Sequence, residues 1–172
     1  NYTREVKFTD NTVILNTLTR GKDGSTLEVG TDITELKAKE AELERLTQAI
    51  EVQSNPICLW GVDDRLIFAN QSYKKIIKEV SDLDVEEGLY RLDLQAAFYA
   101  SDAIVSIDGL KVPKNAEPKT IIAEYGLDRN TSLTREYEFK NGKIIFMSQT
   151  QLKDGGYLTV GSDITDLKAQ SE

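Results

Sequence analysis

Gly161-Ser162-Asp163-Ile164-Thr165-Asp166-Leu167-Lys168 decides the fold, because nearly the same octapeptide stands earlier as Gly30-Thr31-Asp32-Ile33-Thr34-Glu35-Leu36-Lys37, 131 residues upstream. Working outward at that offset, Thr3–Ala38 aligns with Thr134–Ala169 without a gap, and 18 of the 36 positions are identical. Thr3-Arg4-Glu5 matches Thr134-Arg135-Glu136, Phe8 matches Phe139, and Lys22-Asp23-Gly24 matches Lys153-Asp154-Gly155. A period this long means repeated domains, since solenoid repeats recur every 20–50 residues or so. The chain therefore reads as the tail of one domain followed by the whole of its successor, and as starting inside a domain.

The 172 residues carry a formal charge of −8, with 29% charged and 40% hydrophobic residues. No apolar run approaches the roughly 18 residues of a membrane span. The acidic balance repels nucleic acid and anionic lipid, so neither nucleic acid nor membrane contact is expected of this region. The single cysteine, Cys58, can form no intrachain disulfide. That suits a reducing compartment, and a soluble cytoplasmic location is the expectation.

Along the chain, residues 4–9, 12–20 and 26–31 alternate as three short strands, broken by Asp10-Asn11 and Gly21–Gly24. Such a meander alone has one apolar face and nothing to cover it. A helix follows over about Thr34–Val52, with Asp32 as N-cap and Glu35 completing a capping box. Leu36, Leu43 and Ile50, with Leu46, make a thin apolar stripe. It suits either a two-stranded coiled coil or a helix lying on its own domain.

Pro56–Asn70 reads as a hairpin hinged at Val62-Asp63-Asp64, and Asn70 as the cap of a helix reaching about Val80. Helical patterns follow at Leu92–Ser106 and Pro118–Tyr125. The strands Leu133–Phe139, Lys143–Gln151 and Tyr157–Ser162 repeat the meander, with Asn141-Gly142 a strong hairpin signal. Two strands, helices, three strands and a helix make an α+β domain: a five-stranded antiparallel sheet with helices over one face. Its strands are apolar on both faces (Ile144/Phe146 against Ile145/Met147), so a cover is expected on each.

Absence of histidine excludes Ser-His-Asp and Cys-His catalysis, His-ligated zinc or haem, and a histidine phosphoacceptor within these residues. No P-loop or C-x-x-C occurs, so no enzyme activity is expected of this region. Asp63-Asp64 is the one tight acidic pair, read as turn chemistry in preference to a metal site. Cys58, among apolar neighbours with no base beside it, reads as a buried, inert thiol. The set Trp60, Tyr137, Met147, Gln149, Tyr157 and Thr159 has the composition of a small-molecule pocket, and equally of a core that finds partners for tyrosine hydroxyls.

Leu66-Ile-Phe-Ala-Asn70 closing the first hairpin, the helical middle, Lys153-Asp-Gly-Gly156 and the terminal Asp163-Ile164-Thr165, repeated as Asp32-Ile33-Thr34, together resemble the PAS domain family, sensory modules of bacterial signalling proteins. The resemblance implies these boundaries: 1–34, the last three strands of a first PAS domain; 35–52, a helical linker; 53–165, a complete PAS sensor domain; 166–172, the start of an outgoing signalling helix. It places a ligand, if there is one, between sheet and helices, against Cys58, Trp60, Tyr73, Tyr137, Met147, Gln149, Tyr157 and Thr159.

It makes Asp32-Ile33-Thr34 and Asp163-Ile164-Thr165 signal junctions. A haem-ligating histidine and the flavin-adduct cysteine motif are both missing, which leaves a small organic ligand or none as cofactor. The partners implied are a second copy, through the 34–52 helix and the outer sheet face, and an effector domain in the same chain. That effector is a histidine kinase first. The alternative is a ligand-free dimerisation and spacer module upstream of a diguanylate or nucleotide cyclase.

Overall fold

The computed structural model describes residues 2–124 and 132–171, arranged as two compact units, Asn1–Ala49 and Ile50–Glu172. Among the described residues no helix is long and apolar enough to cross a membrane.

In the first unit β1 (Tyr2–Lys7), β2 (Val13–Arg20) and β3 (Thr26–Asp32) form an antiparallel meander in the order β1-β2-β3. β1 ends before the expected residue 9, because the amide of Asn11 bonds the Phe8 carbonyl at 3.1 Å and Asn11 sits at a φ of 69°. No described side chain of this unit is buried, and Tyr2, Phe8, Leu27 and Val29 are each at least half exposed. The meander thus leaves its apolar face open, as an isolated three-stranded sheet must.

Helix α1 (Thr34–Glu51) follows as expected. Its stripe is open too: Leu36, Leu43, Leu46 and Ile50 are 54%, 66%, 56% and 41% exposed. The capping box is not formed. α1 begins at Thr34, the Asp32 carboxylate serves Thr34 two residues on, and Glu35 pairs instead with Lys39 at 2.7 Å.

The second unit comprises β4 (Ile57–Trp60), β5 (Leu66–Ala69), α2 (Gln71–Ser81), α3 (Arg91–Ala100), β6 (Ile104–Ile107), β7 (Leu110–Lys111) and α4 (Pro118–Glu124), then β8 (Leu133–Phe139), β9 (Ile144–Gln151), β10 (Tyr157–Asp163) and α5 (Thr165–Ala169). The expected end of α4 at Tyr125 lies outside the described residues. The α+β architecture is that of the sequence reading, with one antiparallel sheet in the order β5-β4-β10-β9-β8-β6-β7. It has seven strands, two more than expected. The helix read over Leu92–Ser106 stops at Ala100, Asp102 turns the chain at a φ of 50°, and Ile104-Val105-Ser106-Ile107 joins the edge of β8. Asp108 and Gly109, at φ 50° and 77°, then turn the chain into β7. An Asp-Gly pair between apolar residues is a hairpin signal, and three β-branched residues in four favour a strand.

Among the described residues of this unit, helices cover one face of the sheet. Cys58, Trp60, Phe139, Ile145 and Tyr157 are buried in a core shared with Tyr73, Ile76, Ile77 and Val80 of α2 and Leu94, Phe98 and Tyr99 of α3. The alternate set, Ile57, Leu59, Ile144, Leu158 and Val160, is only partly buried, and Phe146 is 41% exposed.

The two meanders have the same architecture. β2 and β9, and β3 and β10, have equivalent ends, and their registers superpose at the 131-residue offset: Tyr2 faces Leu18 as Leu133 faces Gln149, and Ile14 faces Asp32 as Ile145 faces Asp163.

Candidate functional site

A cavity of about 100 Å³ lies between the covered face of the sheet and helices α2 and α3. Its position is set by Asn70, which is fully buried at the end of β5. The Asn70 side chain accepts from the Tyr73 amide at 3.0 Å, which caps α2, and from the Ile57 amide at 2.9 Å, while its Nδ2 donates to the Asn55 and Ile50 carbonyls at 2.9 and 3.1 Å. One amide thus fixes where α2 starts relative to β4, and the 3.6-residue period turns Tyr73 and Ile77 toward the cavity.

Six of the eight expected residues line this space: Trp60, Tyr73, Tyr137, Met147, Gln149 and Thr159. Cys58 and Tyr157 are buried in the adjoining core and are not among its lining residues. The Trp60 indole donates to the Cys58 sulfur at 3.1 Å, and burial pushes that thiol up to about 11. It is protonated and unreactive near neutral pH. Burial likewise drives the Tyr137 phenol up to about 12 and the Tyr73 phenol well above its ordinary value. Both hydroxyls therefore stay un-ionised near neutral pH.

The wall contributed by α3 was not anticipated. Arg91, Leu94, Gln95 and Phe98 face the cavity, a spacing of three, four and seven residues that marks one helical face and was readable from the sequence. Arg91 is held from outside the helix: its Nε donates to the Asp64 carboxylate at 3.0 Å, and its amide to the Asp64 carbonyl at 2.9 Å. Asp64 occupies a left-handed turn position at φ 63°, and Asp63 accepts from the Arg65 amide at 3.2 Å. The acidic pair is turn chemistry with an ion pair added. Gln95 Oε1 is buried without a hydrogen-bond partner among the described residues. A buried acceptor left that way costs about 1–3 kcal/mol.

At each junction the aspartate does the same work. Asp32 Oδ1 accepts from the Thr34 amide and hydroxyl at 2.9 and 2.6 Å, and Asp163 Oδ1 from those of Thr165 at 3.0 and 2.5 Å. The threonine oxygen in turn accepts from the first amide of the central strand, Val13 or Ile144, at 2.9 Å in both copies. The Ile33 and Ile164 amides return bonds of 2.9 Å to the Val13 and Ile144 carbonyls. Lys37 pairs with Glu5, and Lys168 with Glu136, each at 2.8 Å. Exposed pairs of this kind contribute little, so the holding force is the hydrogen-bond lattice.

The fold is PAS-like. Its own sheet order, with a hairpin and a meander sharing one antiparallel sheet around a helical middle, makes it so. No protein-family model matches the chain, and no curated protein sequence does. Among solved structures, the chain is similar to a phage VqmA determined as its complex with DPO, at 18% identity and a TM-score of 0.43 over 77% of this chain and 57% of that one. It is similar to the PAS domain of an HTR-like protein from Haloarcula marismortui, at 15% identity and a TM-score of 0.38 over 76% and 98% of the two chains. It is also similar to a PAS domain from a two-component sensor histidine kinase, at 12% identity and a TM-score of 0.38 over 73% and 98%. The chain thus spans little more than half the length of the VqmA chain.

Proposed function

We propose that this chain is the signal-input part of a multidomain signalling protein: a sensor domain over 53–165 that takes a small organic ligand in the Trp60 cavity and passes its occupancy through Asp163-Ile164-Thr165 to an outgoing helix over 166–172. In this reading residues 1–34 are the last three strands of a preceding PAS domain, joined by the 35–52 linker through Asp32-Ile33-Thr34. The effector is a histidine kinase.

The observation that carries the proposal is continuity between cavity and junction. Thr159 and Met147 line the cavity on β10 and β9, and the same two strands end at Asp163 and begin at Ile144, where Thr165 is held. A ligand that shifts these strands relative to one another acts on the helix start within one strand length, provided it favours one of two arrangements. Replacing Asp163 with Ala in the full-length protein removes two exposed hydrogen bonds, costs about 1 kcal/mol of stability or less, and is expected to abolish the response of output to stimulus. An unchanged response would overturn the junction's role.

The open stripe on α1 and the uncovered outer sheet face support a homodimer, and they also favour a second reading, a ligand-free dimerisation and spacer module ahead of a cyclase. Native mass spectrometry of the purified chain separates the two. A dimer carrying extra mass of metabolite size is expected; a dimer without it leaves the spacer reading, and a monomer removes the helix seam.

A further inference from the structure

Asn141-Gly142 is the one Asn-Gly pair in the chain, and it lies on the exposed turn between β8 and β9. An asparagine side chain and the amide nitrogen of the next residue can close a cyclic imide, and a glycine there leaves the nitrogen unshielded by any Cβ. The space that a Cβ of residue 142 would fill is open. The Lys143 amide donates to Asn141 Oδ1 at 3.1 Å, so an N–H already points at the oxygen on which negative charge gathers during attack on Cγ. The Gly142 amide donates to the Phe139 carbonyl at 2.9 Å, and that bond holds the nucleophile back until the turn opens.

The internal repeat shows that this turn accepts an aspartate. At the 131-residue offset Asp10 stands where Asn141 does, and Asn11 where Gly142 does. Asp10 Oδ1 accepts from the Thr12 amide at 3.0 Å, as Asn141 Oδ1 does from Lys143. The Asn11 amide donates to the Phe8 carbonyl at 3.1 Å, and residues 11 and 142 both take left-handed backbone, at φ 69° and 81°. Each turn is closed by the same bond of 2.9 Å, from the Phe8 or Phe139 amide to the Thr12 or Lys143 carbonyl. Hydrogen bonding from Thr12, its amide first, holds the Asp10 carboxyl below the usual range, so an ionised carboxylate suits the position.

We propose that Asn141 is a self-modification site, which the folded protein slowly converts to aspartate. The deprotonated Gly142 nitrogen attacks Asn141 Cγ; the N–Cγ bond forms, and the Cγ–Nδ2 bond breaks as Nδ2 leaves in ammonia. Water then opens the imide. Cleavage at Cγ gives aspartate in an ordinary backbone. Cleavage at the backbone carbonyl carbon of residue 141 gives isoaspartate, whose main chain runs through Cβ and Cγ. Aspartate keeps the turn's bonds, as Asp10 does in the sister turn. Isoaspartate lengthens the main chain by one carbon and loses the register between residues 139 and 142. Either product adds a negative charge where the chain enters β9, beside Lys143, whose ammonium pairs with Glu79 of α2 at 2.6 Å. Water is the only other reactant.

The test ages the full chain in warm, mildly alkaline buffer, follows each asparagine by peptide mass spectrometry, and assays ammonia alongside. The peptide carrying Asn141 is expected to gain the mass of an amide-to-acid exchange ahead of those carrying Asn11, Asn16 and Asn115. Gly142→Ala should slow the change, because a Cβ then crowds the attacking nitrogen. Asn141→Gln, which keeps Gly142 and its turn, should abolish the shift, since its ring would be one atom wider. The Asn141→Asp protein should unfold at the parent's urea midpoint. An Asn141 that survives while another asparagine converts, a Gly142→Ala variant that converts as fast as the parent, or a shift that persists in Asn141→Gln would overturn the site. A lower midpoint for Asn141→Asp would overturn the turn's acceptance of aspartate.

Discussion

An Asn70→Leu variant is expected to lose on the order of 3 kcal/mol of stability, a large share of what a domain this size possesses. Leucine matches asparagine in bulk and removes five hydrogen bonds at once, a long one to the Gln53 carbonyl at 3.5 Å among them. The amides of Ile57 and Tyr73 lose their acceptor, and the carbonyls of Asn55 and Ile50 lose their donor. Asn70 is fully buried, so water does not replace the side chain in place. Loss of the helix cap alone costs about 1 kcal/mol, and the Ile57 amide beside the first sheet strand adds a desolvation penalty of similar or greater size.

Asn70→Asp keeps an oxygen that can accept from the Ile57 and Tyr73 amides and loses the N–H donors, so it should fall between parent and Leu variant. Urea unfolding of the whole chain followed by far-ultraviolet circular dichroism measures the order. Coincident midpoints for parent and Asn70→Leu would show that the Asn70 lattice is not what joins α2 to the sheet.

Gly156→Ala should cost about 2–3 kcal/mol, at the upper end for an added methyl in a packed region. A Cβ there would stand 2.6 Å from the Trp60 carbonyl oxygen and 3.2 Å from Asp154 Oδ1. The first obstacle is backbone and cannot rotate away. The segment is also pinned, since the Gly156 amide donates to Asp154 and its carbonyl accepts from the Leu152 amide, each at 2.9 Å. Strands β4 and β10 must separate at the Tyr157–Trp60 pair, next to the cavity.

Gly142→Ala is the informative control. Gly142 has open space around it and a φ of +81°, so its alanine variant pays only the left-handed backbone cost of roughly 1–2 kcal/mol. The Gly156 variant should be the less stable of the two and should shift the Trp60 emission, whereas the Gly142 variant should not. Equal stability, with Trp60 unmoved in both, would mean that the strands absorb the methyl group without parting.

The sequence by itself determined whatever is local or repeated. Thr3–Ala38 and Thr134–Ala169 carry the same turn residues and alternation, so a meander of given strand length and register follows from each, and the structure has the same pairing in both. Asn70 as a helix cap and α1 from Thr34 were readable for the same reason: the determining contacts lie within a few residues. The break after Ala100 was also written locally, in Asp108-Gly109 and the β-branched run before it. A helical period continuing across Leu92–Ser106 obscured it.

Tertiary structure decided the rest. Alternation alone showed both faces of β9 and β10 to be apolar, and only the packing of α2 and α3 made one of them the wall of a cavity. Arg91 enters that wall because Asp64, 27 residues earlier, holds its guanidinium across the domain. Cys58 and Tyr157 share the sheet face with the lining residues and stay outside the cavity, since alternation sets the side of a sheet and not the distance along it. A pocket is made by residues distant in the chain converging in space, so its membership cannot be read from any one stretch.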